Sequence, residues 1–237
     1  MPELLKAVEI ETGGKVRASV LWLHGLGADG HDFEPIVPQL GLDGRGVRFV
    51  FPHAPRRAVT INMGLLMPAW FDIRAQDFSA RIDADGIRTS AAQVEALLAR
   101  EKERGVPAER ILLAGFSQGG VIALHVALRH PERLAGGIGL STFLPEEIAA
   151  RAELSGANAG LPVFMAHGDE DPMIPIAWAE QARDRLKELG HPVVWKEYPM
   201  AHQVCAEEIA DLAAWIGERL GERSPEPAPE RHGARSG

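Results

Sequence analysis

The chain has 237 residues but contains only one cysteine, Cys205, and one tyrosine, Tyr198. A single cysteine excludes an internal disulfide, and with it the class of small, disulfide-rich secreted domains. The sequence also lacks an apolar run near the length of a membrane span, and residues 1–11 do not contain a basic region followed by an apolar block. These absences predict a cytoplasmic protein with no signal peptide and no stable membrane insertion.

Positive charge is also scarce in this chain. The 25 Lys and Arg residues are outnumbered by 33 Asp and Glu residues, which gives a formal net charge of −8 at pH 7. An acidic surface repels the phosphates of DNA and RNA, so we expect no nucleic-acid partner. The length suits one α/β domain.

The end of the chain differs in composition from the rest. Residues 222–237 contain Pro225, Pro227 and Pro229 among charged and small residues, with almost no apolar side chain. Such a segment buries too little surface to offset the entropy that it would lose on ordering. The sequence therefore predicts a single folded domain over residues 1–221 and a disordered Pro-rich tail over residues 222–237.

Short apolar runs alternate with longer segments of helical period through the predicted domain. Near-continuous apolar runs are typical of parallel strands that are covered on both faces, whereas helical segments place apolar residues three or four positions apart. We predict strands at 19–23, 47–51, 111–114, 137–140, 163–166 and 193–198, an antiparallel edge strand at 8–10, and helices with apolar stripes over 87–98, 179–189 and 209–220. This alternation predicts an α/β protein with a mostly parallel, doubly wound sheet flanked by helices.

The most specific local pattern is a G-x-S-x-G sequence between a predicted strand and a predicted helix. It places Ser117 between Gly115 and Gly119. In the α/β-hydrolase fold this pattern forms the nucleophile elbow, a sharp turn that exposes the serine hydroxyl. The flanking glycines are needed because a Cβ at either position would collide with neighbouring backbone. A glycine-rich turn that merely packs a helix on a strand would give the same pattern, so the partners of Ser117 must decide.

A serine hydroxyl is a poor nucleophile at neutral pH, so Ser117 needs an adjacent base. In open α/β sheets, active groups follow the carboxyl ends of strands. His202 follows the last predicted strand and Asp171 follows the strand before it, which is the chain order of α/β-hydrolases. His202 would take and return the proton, and Asp171 would orient its ring. Asp169 is the alternative acid, but Pro172 fixes the turn beside Asp171 and favours that residue.

Two backbone N–H groups are candidates for binding the oxyanion that forms when a carbonyl is attacked. Gln118 follows the serine at the start of a helix, where the dipole and the free amides favour negative charge. The second N–H should come from the loop His24-Gly25-Leu26-Gly27, and we assign it to Leu26.

The connection over residues 53–83 shows no clear period, and we expect it to be irregular. Irregular apolar loops near strand ends more often line sites than fill the core. On this ground we predict that five residues of the connection and two that follow another strand bind the substrate: Leu65, Leu66, Met67, Trp70, Phe71, Phe143 and Leu144. His125 and His130 are five residues apart and share no helix face, and there is no zinc motif, so we expect no metal and no cofactor.

Taken together, these segments resemble the phospholipase/carboxylesterase family, which contains small bacterial carboxylesterases and eukaryotic acyl-protein thioesterases. The resemblance extends over residues 19–220, and it rests on HGLGAD (24–29), PHAP (52–55), MPAWFD (67–72), GFSQGG (115–120), HGDEDPMIP (167–175) and YPMAH (198–202). It implies an α/β-hydrolase fold, a triad of Ser117, Asp171 and His202, and an oxyanion hole at Leu26 and Gln118. It also implies that the segment around Trp70 borders the acyl pocket.

Within the family, residues 60–64 and 141–145 look closer to the bacterial esterases than to the thioesterases. The chain departs from the family pattern at two positions near the site. Phe71 stands where the family often has tyrosine, and Ala201 stands where glycine is common.

The spacing of the last strands bears on substrate access. About twenty residues separate Leu140 from Val163, and they include a helical-looking stretch over 145–154, which leaves little room for a large lid. We therefore expect a serine carboxylesterase with an open site that hydrolyses soluble, small-molecule esters of short to medium acyl chain through an acyl-enzyme on Ser117.

Two other readings of the sequence remain. Acyl-protein thioesterase or lysophospholipase activity is the first, because the same machinery attacks a thioester. A non-catalytic, ligand-binding member of the fold is the second, and the complete set of serine, histidine and aspartate argues against it. A homodimer is compatible with the resemblance, but the sequence marks no interface.

Overall fold

A computed structural model describes residues 4–74, 82–145 and 153–221. Its strands in chain order are β1 (Ala7–Glu11), β2 (Ala18–Leu23), β3 (Val47–Pro52), β4 (Arg56–Val59), β5 (Leu65–Pro68), β6 (Ile111–Phe116), β7 (Gly136–Leu140), β8 (Val163–Gly168) and β9 (Val193–Tyr198). Its α-helices are α1 (Ala84–Glu103), α2 (Gln118–Arg129), α3 (Ile176–Glu188) and α4 (Ala206–Leu220). The strands and helices predicted from the apolar pattern are confirmed, including the antiparallel edge strand.

Seven of the strands form one sheet in the order β1-β3-β2-β6-β7-β8-β9. Only β1 runs antiparallel to its neighbour, β3, and all the other pairs are parallel. Strands β2, β3, β7 and β8 are buried along their whole length, which is why they read as continuous apolar runs. The parallel direction brings the residues that follow β2, β6, β8 and β9 to the same edge of the sheet.

Helices cover both faces of this sheet. On one face, side chains of α1 and α2 pack on Leu21, Leu23 and Leu113. On the other face, α4 and a short 3-10 segment, Glu34–Leu40, pack on Val20 and Trp22. Helix α3 packs beside α2, with Leu186 next to Met165 of β8. This is the α/β-hydrolase architecture predicted from the sequence, and the two helical layers fix the carboxyl edge of the sheet.

Strands β4 and β5 lie outside the main sheet and form a separate antiparallel hairpin, with Arg56 opposite Pro68 and Val59 opposite Leu65. The expectation of an irregular connection over residues 53–83 is therefore wrong for residues 56–68. The two strands have four residues each and do not alternate between apolar and polar side chains, so they carry no recognisable period. A hydrogen bond from Gly27 N to Pro68 O (2.9 Å) ties the hairpin to the loop that follows β2.

Two further predictions concern segments outside this description. The predicted tail, residues 222–237, lies outside the described residues, as does most of the helical-looking stretch over 145–154. Among the helices of the described part of the chain, none is both long and apolar enough to cross a membrane.

Candidate active site

Ser117 occupies the sharp turn between β6 and α2. Its backbone has φ 53° and ψ −121°, in the left-handed half of conformational space that non-glycine residues rarely adopt. The turn is held on both sides: Ser117 N donates to Leu140 O (2.8 Å), and the Thr142 hydroxyl donates to Ser117 O (2.7 Å). Surrounding hydrogen bonds therefore stabilise a strained residue at the end of a central strand.

The glycines around Ser117 allow backbone segments to approach each other closely. A Cβ on Gly115 would lie 2.3 Å from the backbone of Gly119, and a Cβ on Gly119 would lie 2.4 Å from Leu23 O. Real Cβ atoms do not approach other atoms that closely, so neither position accepts a side chain. The steric reason given for the G-x-S-x-G pattern is confirmed.

His202 connects Ser117 to a carboxylate. Its Nε2 lies 2.9 Å from Ser117 Oγ, and its Nδ1 lies 2.7 Å from Asp171 Oδ2. An ionised carboxylate only accepts hydrogen bonds, so Nδ1 carries the ring proton and Nε2 is left to accept the proton of the serine hydroxyl. The arrangement can move a proton from Ser117 to His202 while Asp171 stabilises the charged ring.

Asp171 is held rigidly by its own loop. Its Oδ1 accepts hydrogen bonds from Met173 N (2.8 Å) and Ile174 N (3.0 Å), which leaves Oδ2 for His202. The fully buried His167 also lies behind it, with Nε2 3.4 Å from Asp171 Oδ2 and 2.9 Å from Ile174 O. Burial lowers the pKa of His167, which keeps this ring neutral.

The alternative acid is placed differently. Asp169 is exposed, and its backbone N donates to Tyr198 O (3.0 Å). The carboxylate that contacts His202 is that of Asp171. Of the two acids two residues apart, only Asp171 points its carboxylate at the histidine. Pro172, the residue that favoured Asp171 over Asp169 in the sequence, follows Asp171 directly in this loop.

Two backbone amides next to Ser117 are available to a ligand. Among the described residues, Leu26 N and Gln118 N donate no hydrogen bond to the protein, whereas the neighbouring Gly27 N and Gly120 N do. Gln118 is the first residue of α2, where backbone N–H groups have no partner within the helix. Both Leu26 and Gln118 line the cavity above Ser117, so their amides can stabilise a negative charge on a bound carbonyl oxygen.

The side chain of Gln118 has a second task that the sequence did not indicate. Its Oε1 accepts a hydrogen bond from Trp70 N, and its Nε2 donates to Phe71 O, both at 2.7 Å. The Trp70 indole in turn donates to His24 O (2.8 Å). These bonds fasten the segment around Trp70 to both loops that carry the free amides, and so fix the amides relative to Ser117.

A cavity of about 780 Å³ opens above Ser117 and His202. Its walls are mainly apolar and aromatic, which suits a hydrocarbon chain. The lining residues, apart from Ser117, His202, Leu26 and Gln118, are Gly25, Ala28, Asp32, Ile61, Asn62, Phe71, Ile73, Phe116, Phe143, Pro172, Met173, Ile174, Pro175 and Trp178.

Only part of the predicted substrate-binding set lines this cavity. Phe71 and Phe143 do. Trp70 is instead fully buried in the core beneath it. Leu144 is partly buried and packs against the core.

The hairpin residues of the predicted set also lie outside the cavity. Leu65 and Leu66 are 63% and 60% exposed on β5, and Met67 is partly buried on the same strand. Their apolar character indicated a pocket wall, but they lie on the unpredicted hairpin and none of them lines the cavity.

Sequence reasoning missed several lining residues. Ile174 follows Asp171 in the same loop, and Asp32 and Ala28 follow the oxyanion loop, so their place after strand ends was the signal that could have identified them. Ile61 and Asn62 come from the turn of the hairpin and carried no such signal. Within residues 4–74, 82–145 and 153–221, no group of three or more His, Cys, Asp or Glu residues could hold a metal ion.

Comparison with known proteins matches this geometry to a family. A model of the phospholipase/carboxylesterase family matches residues 6–219. The chain belongs to this family. It is therefore a member of a hydrolase family with the α/β-hydrolase fold, and a serine lies at the nucleophile position of that fold.

Several named proteins match this chain over most of its length. Acyl-protein thioesterase 1 of Neurospora crassa is 39% identical over 232 residues, which cover 92% of this chain and 91% of the relative. Acyl-protein thioesterase 1 of Gibberella zeae is 37% identical, with 86% of this chain and 91% of the relative covered. The crystal structure of Zea mays acyl-protein thioesterase 2 matches with a TM-score of 0.81 and 28% identity, covering 91% of this chain and 99% of that one. The expected likeness to bacterial esterases at residues 60–64 and 141–145 stays a prediction.

Proposed function

We propose that this family member hydrolyses acyl thioesters and carboxylic esters through a covalent acyl-enzyme on Ser117. The observation that carries the proposal is the unbroken hydrogen-bonded chain from Ser117 through His202 to Asp171, at 2.9 and 2.7 Å, at the floor of an apolar cavity. A hydroxyl, a base and an acid in this geometry are the parts that acyl transfer needs.

Each step of the proposed reaction uses a group at the site. Ser117 Oγ attacks the carbonyl carbon while its proton passes to His202 Nε2. The oxygen of the tetrahedral intermediate takes the negative charge and accepts hydrogen bonds from Leu26 N and Gln118 N. The intermediate collapses, the thiol or alcohol leaves with the proton from His202, and a water molecule then releases the acid by the same steps.

The acyl chain would lie along the aromatic wall formed by Phe71, Phe143 and Trp178. The rings of Phe143 and Trp178 lie 6.2 Å apart at an angle of 61°, an edge-to-face contact that forms an apolar surface. Each methylene that leaves water for such a surface contributes about 0.8 kcal/mol, or about fourfold in kcat/KM.

The thioester is the leading substrate class in this proposal. The support is that both fungal relatives, and the maize structure, are named acyl-protein thioesterases. A carboxylesterase that prefers short to medium acyl chains is the second candidate, and the description of the family, which includes carboxylesterases, favours it. Ser117 would carry the acyl group in both.

A matched acyl series separates the two candidates. Thioesters of N-acetylcysteamine and p-nitrophenyl esters would be compared with acyl chains from acetyl to palmitoyl, with Ser117→Ala as the background. A long-chain thioesterase should show kcat/KM rising by up to about fourfold per methylene into the long chains. A maximum at short chains for both leaving groups would contradict it and favour the carboxylesterase, and hydrolysis by Ser117→Ala at the wild-type rate would contradict both.

A further inference from the structure

One charged side chain in the cavity wall has no place in the proposed reaction. Among the described residues that line the cavity, Asp32 is the only Asp or Glu, and none is Lys or Arg. Asp32 forms no salt bridge with any residue that the structure describes, and its backbone N donates to Asp29 O (3.1 Å). Its carboxylate therefore faces the substrate cavity without a cation.

The position of Asp32 relative to His202 indicates which part of a substrate it would meet. Phe33, the next residue, lies 5.6 Å from Phe116 between ring centroids, and Phe116 lies 4.8 Å from the His202 ring. This row of rings places the Asp32 loop on the histidine side of Ser117. Because the base must return its proton to the leaving group, the thiol or alcohol departs on that side.

The apolar part of the cavity wall comes from other segments than the Asp32 loop. Ile174 and Trp178 belong to the segment that follows Asp171, and Phe143 packs against Trp178. An acyl chain is favoured there, since those walls hold no charged group. The cavity thus has apolar walls and, on the Asp32 loop, one carboxylate.

We propose that Asp32 makes the site selective for esters and thioesters whose leaving group carries a positive charge, a quaternary ammonium or a protonated amine. This inference rests on the proposed function. A cation on the leaving group would be attracted to the carboxylate. An anionic leaving group would be repelled, and the net charge of −8 acts in the same direction.

The expected change in kcat/KM follows from the exposure of Asp32 to water. Asp32 is exposed and pairs with a cation in contact with water, so the pairing should change kcat/KM by about two- to fivefold. Such a contact is screened by salt, because the Debye length falls from about 10 Å at 0.1 M to about 3 Å at 1 M. Salt sensitivity therefore separates attraction to Asp32 from a better steric fit.

The test uses two substrates of the same shape. Butyrylthiocholine carries a quaternary ammonium, and S-(3,3-dimethylbutyl) thiobutyrate replaces that nitrogen with carbon. The ratio of their kcat/KM values would be measured for the wild type, Asp32→Asn and Asp29→Asn. Asp29 is the matched control, since it lies on the same loop, does not line the cavity and changes the net charge equally. Its Oδ1 accepts the His31 N–H, which an asparagine can still do.

We expect Asp32→Asn to lower the cation-to-neutral ratio about two- to fivefold, with the ratio of Asp29→Asn unchanged. In 1 M salt the wild-type ratio should fall to that of Asp32→Asn. An unchanged ratio in Asp32→Asn, or an equal fall in Asp29→Asn, would overturn the inference alone. If the wild type hydrolyses neither substrate above the Ser117→Ala background, the proposed function is wrong and the inference falls with it.

Discussion

Ser117 and Ser19 are hydrogen-bonded to ionisable side chains, and they lie at opposite edges of the sheet. Ser117 follows the carboxyl end of β6, whereas Ser19 of β2 pairs in register with Ile111 at the start of β6. Ser19 Oγ donates to Glu101 Oε2 at 2.6 Å, a shorter bond than Ser117 makes with His202. A short hydrogen bond to a titratable group therefore does not by itself make a serine a candidate nucleophile.

The partners explain the difference between the two edges. Glu101 is fully buried and also accepts from Arg48 Nη1 (2.8 Å) and Arg104 Nη1 (2.9 Å), so its charge is already satisfied and it is a weak base. His202 has one nitrogen committed to Asp171 and the other free to take a proton. Ser19 is fully buried, while Ser117 opens into a cavity beside unpaired amides. The contacts at the amino-terminal edge are those of a buried ion cluster, whereas those at the carboxyl edge are those of the candidate active site.

The largest effect that would separate the two edges is expected at Asp171. Replacing it by Asn removes the acceptor that fixes the His202 ring, and the corresponding change in a serine hydrolase lowers kcat about 10⁴-fold. The melting temperature should change little because Asn can still accept the Met173 and Ile174 amides. Steady-state kinetics on a thioester measures the loss.

Asp169→Asn is the matched control for Asp171→Asn. It lies two residues away, removes the same charge and does not face His202, so kcat should stay within a fewfold of the wild type. A greater loss in Asp169→Asn than in Asp171→Asn would reverse the assignment of the acid.

The next largest effect is a loss of stability at the amino-terminal edge of the sheet. Glu101→Gln leaves Arg48 beside a buried neutral group, and breaking a buried ion pair typically costs about 3–5 kcal/mol of unfolding free energy. Activity of the folded protein should be unchanged, since Glu101 is remote from Ser117. Urea unfolding followed by circular dichroism measures the loss.

The exposed pair of Glu132 and Lys102 provides the control for that measurement. Water already solvates the Glu132 carboxylate, so Glu132→Gln should not change the urea midpoint measurably. If Glu101→Gln behaved like Glu132→Gln, the ion cluster would not stabilise the amino-terminal edge.

The smallest expected effect is on the pH dependence of stability, and it concerns a third carboxyl group. Glu208 in the first turn of α4 is fully buried, and both its oxygens are without a hydrogen-bond partner among the described residues. Burial raises the pKa of Glu208 to about 8, so at neutral pH the folded protein holds a proton that the unfolded chain has lost. Stability should therefore fall as pH rises from the ordinary carboxyl range to about 8.

The sign can be checked between pH 6.5 and 8. Burial lowers the pKa of His24, His125, His167 and His191, so the unfolded chain binds their protons first and these histidines raise stability as the pH rises, opposite in sign to Glu208. Across the window the free energy of unfolding of the wild type should fall by about 1–2 kcal/mol relative to that of Glu208→Gln, in which the histidines act equally. Parallel pH profiles for the two proteins would show that Glu208 does not retain its proton.

The site was predictable from the sequence where function depends on position after a strand. Ser117, His202 and Asp171 each follow a strand of clear apolar pattern, and parallel strands bring such residues to one edge. The glycines beside Ser117 were informative because only one residue type fits their contacts.

The walls of the cavity were less predictable because they depend on long-range packing. Trp70 is apolar and near a strand end, as a wall residue would be, but Gln118 and His24 O fasten it into the core. Leu65 and Leu66 lie on a hairpin whose short strands have no period. Trp178 reaches the cavity from the start of α3, and nothing in its local sequence distinguishes it from a core residue.

The most direct measurement of the central claim is the mass of the acylated protein. The intact protein would be treated with a fluorophosphonate, and separately mixed with an acyl thioester and quenched in acid, and each adduct would be mapped by peptide fragmentation. We predict one adduct per chain on Ser117, which Ser117→Ala abolishes without altering the fold. An adduct on any other residue, or turnover by Ser117→Ala at the wild-type rate, would contradict it.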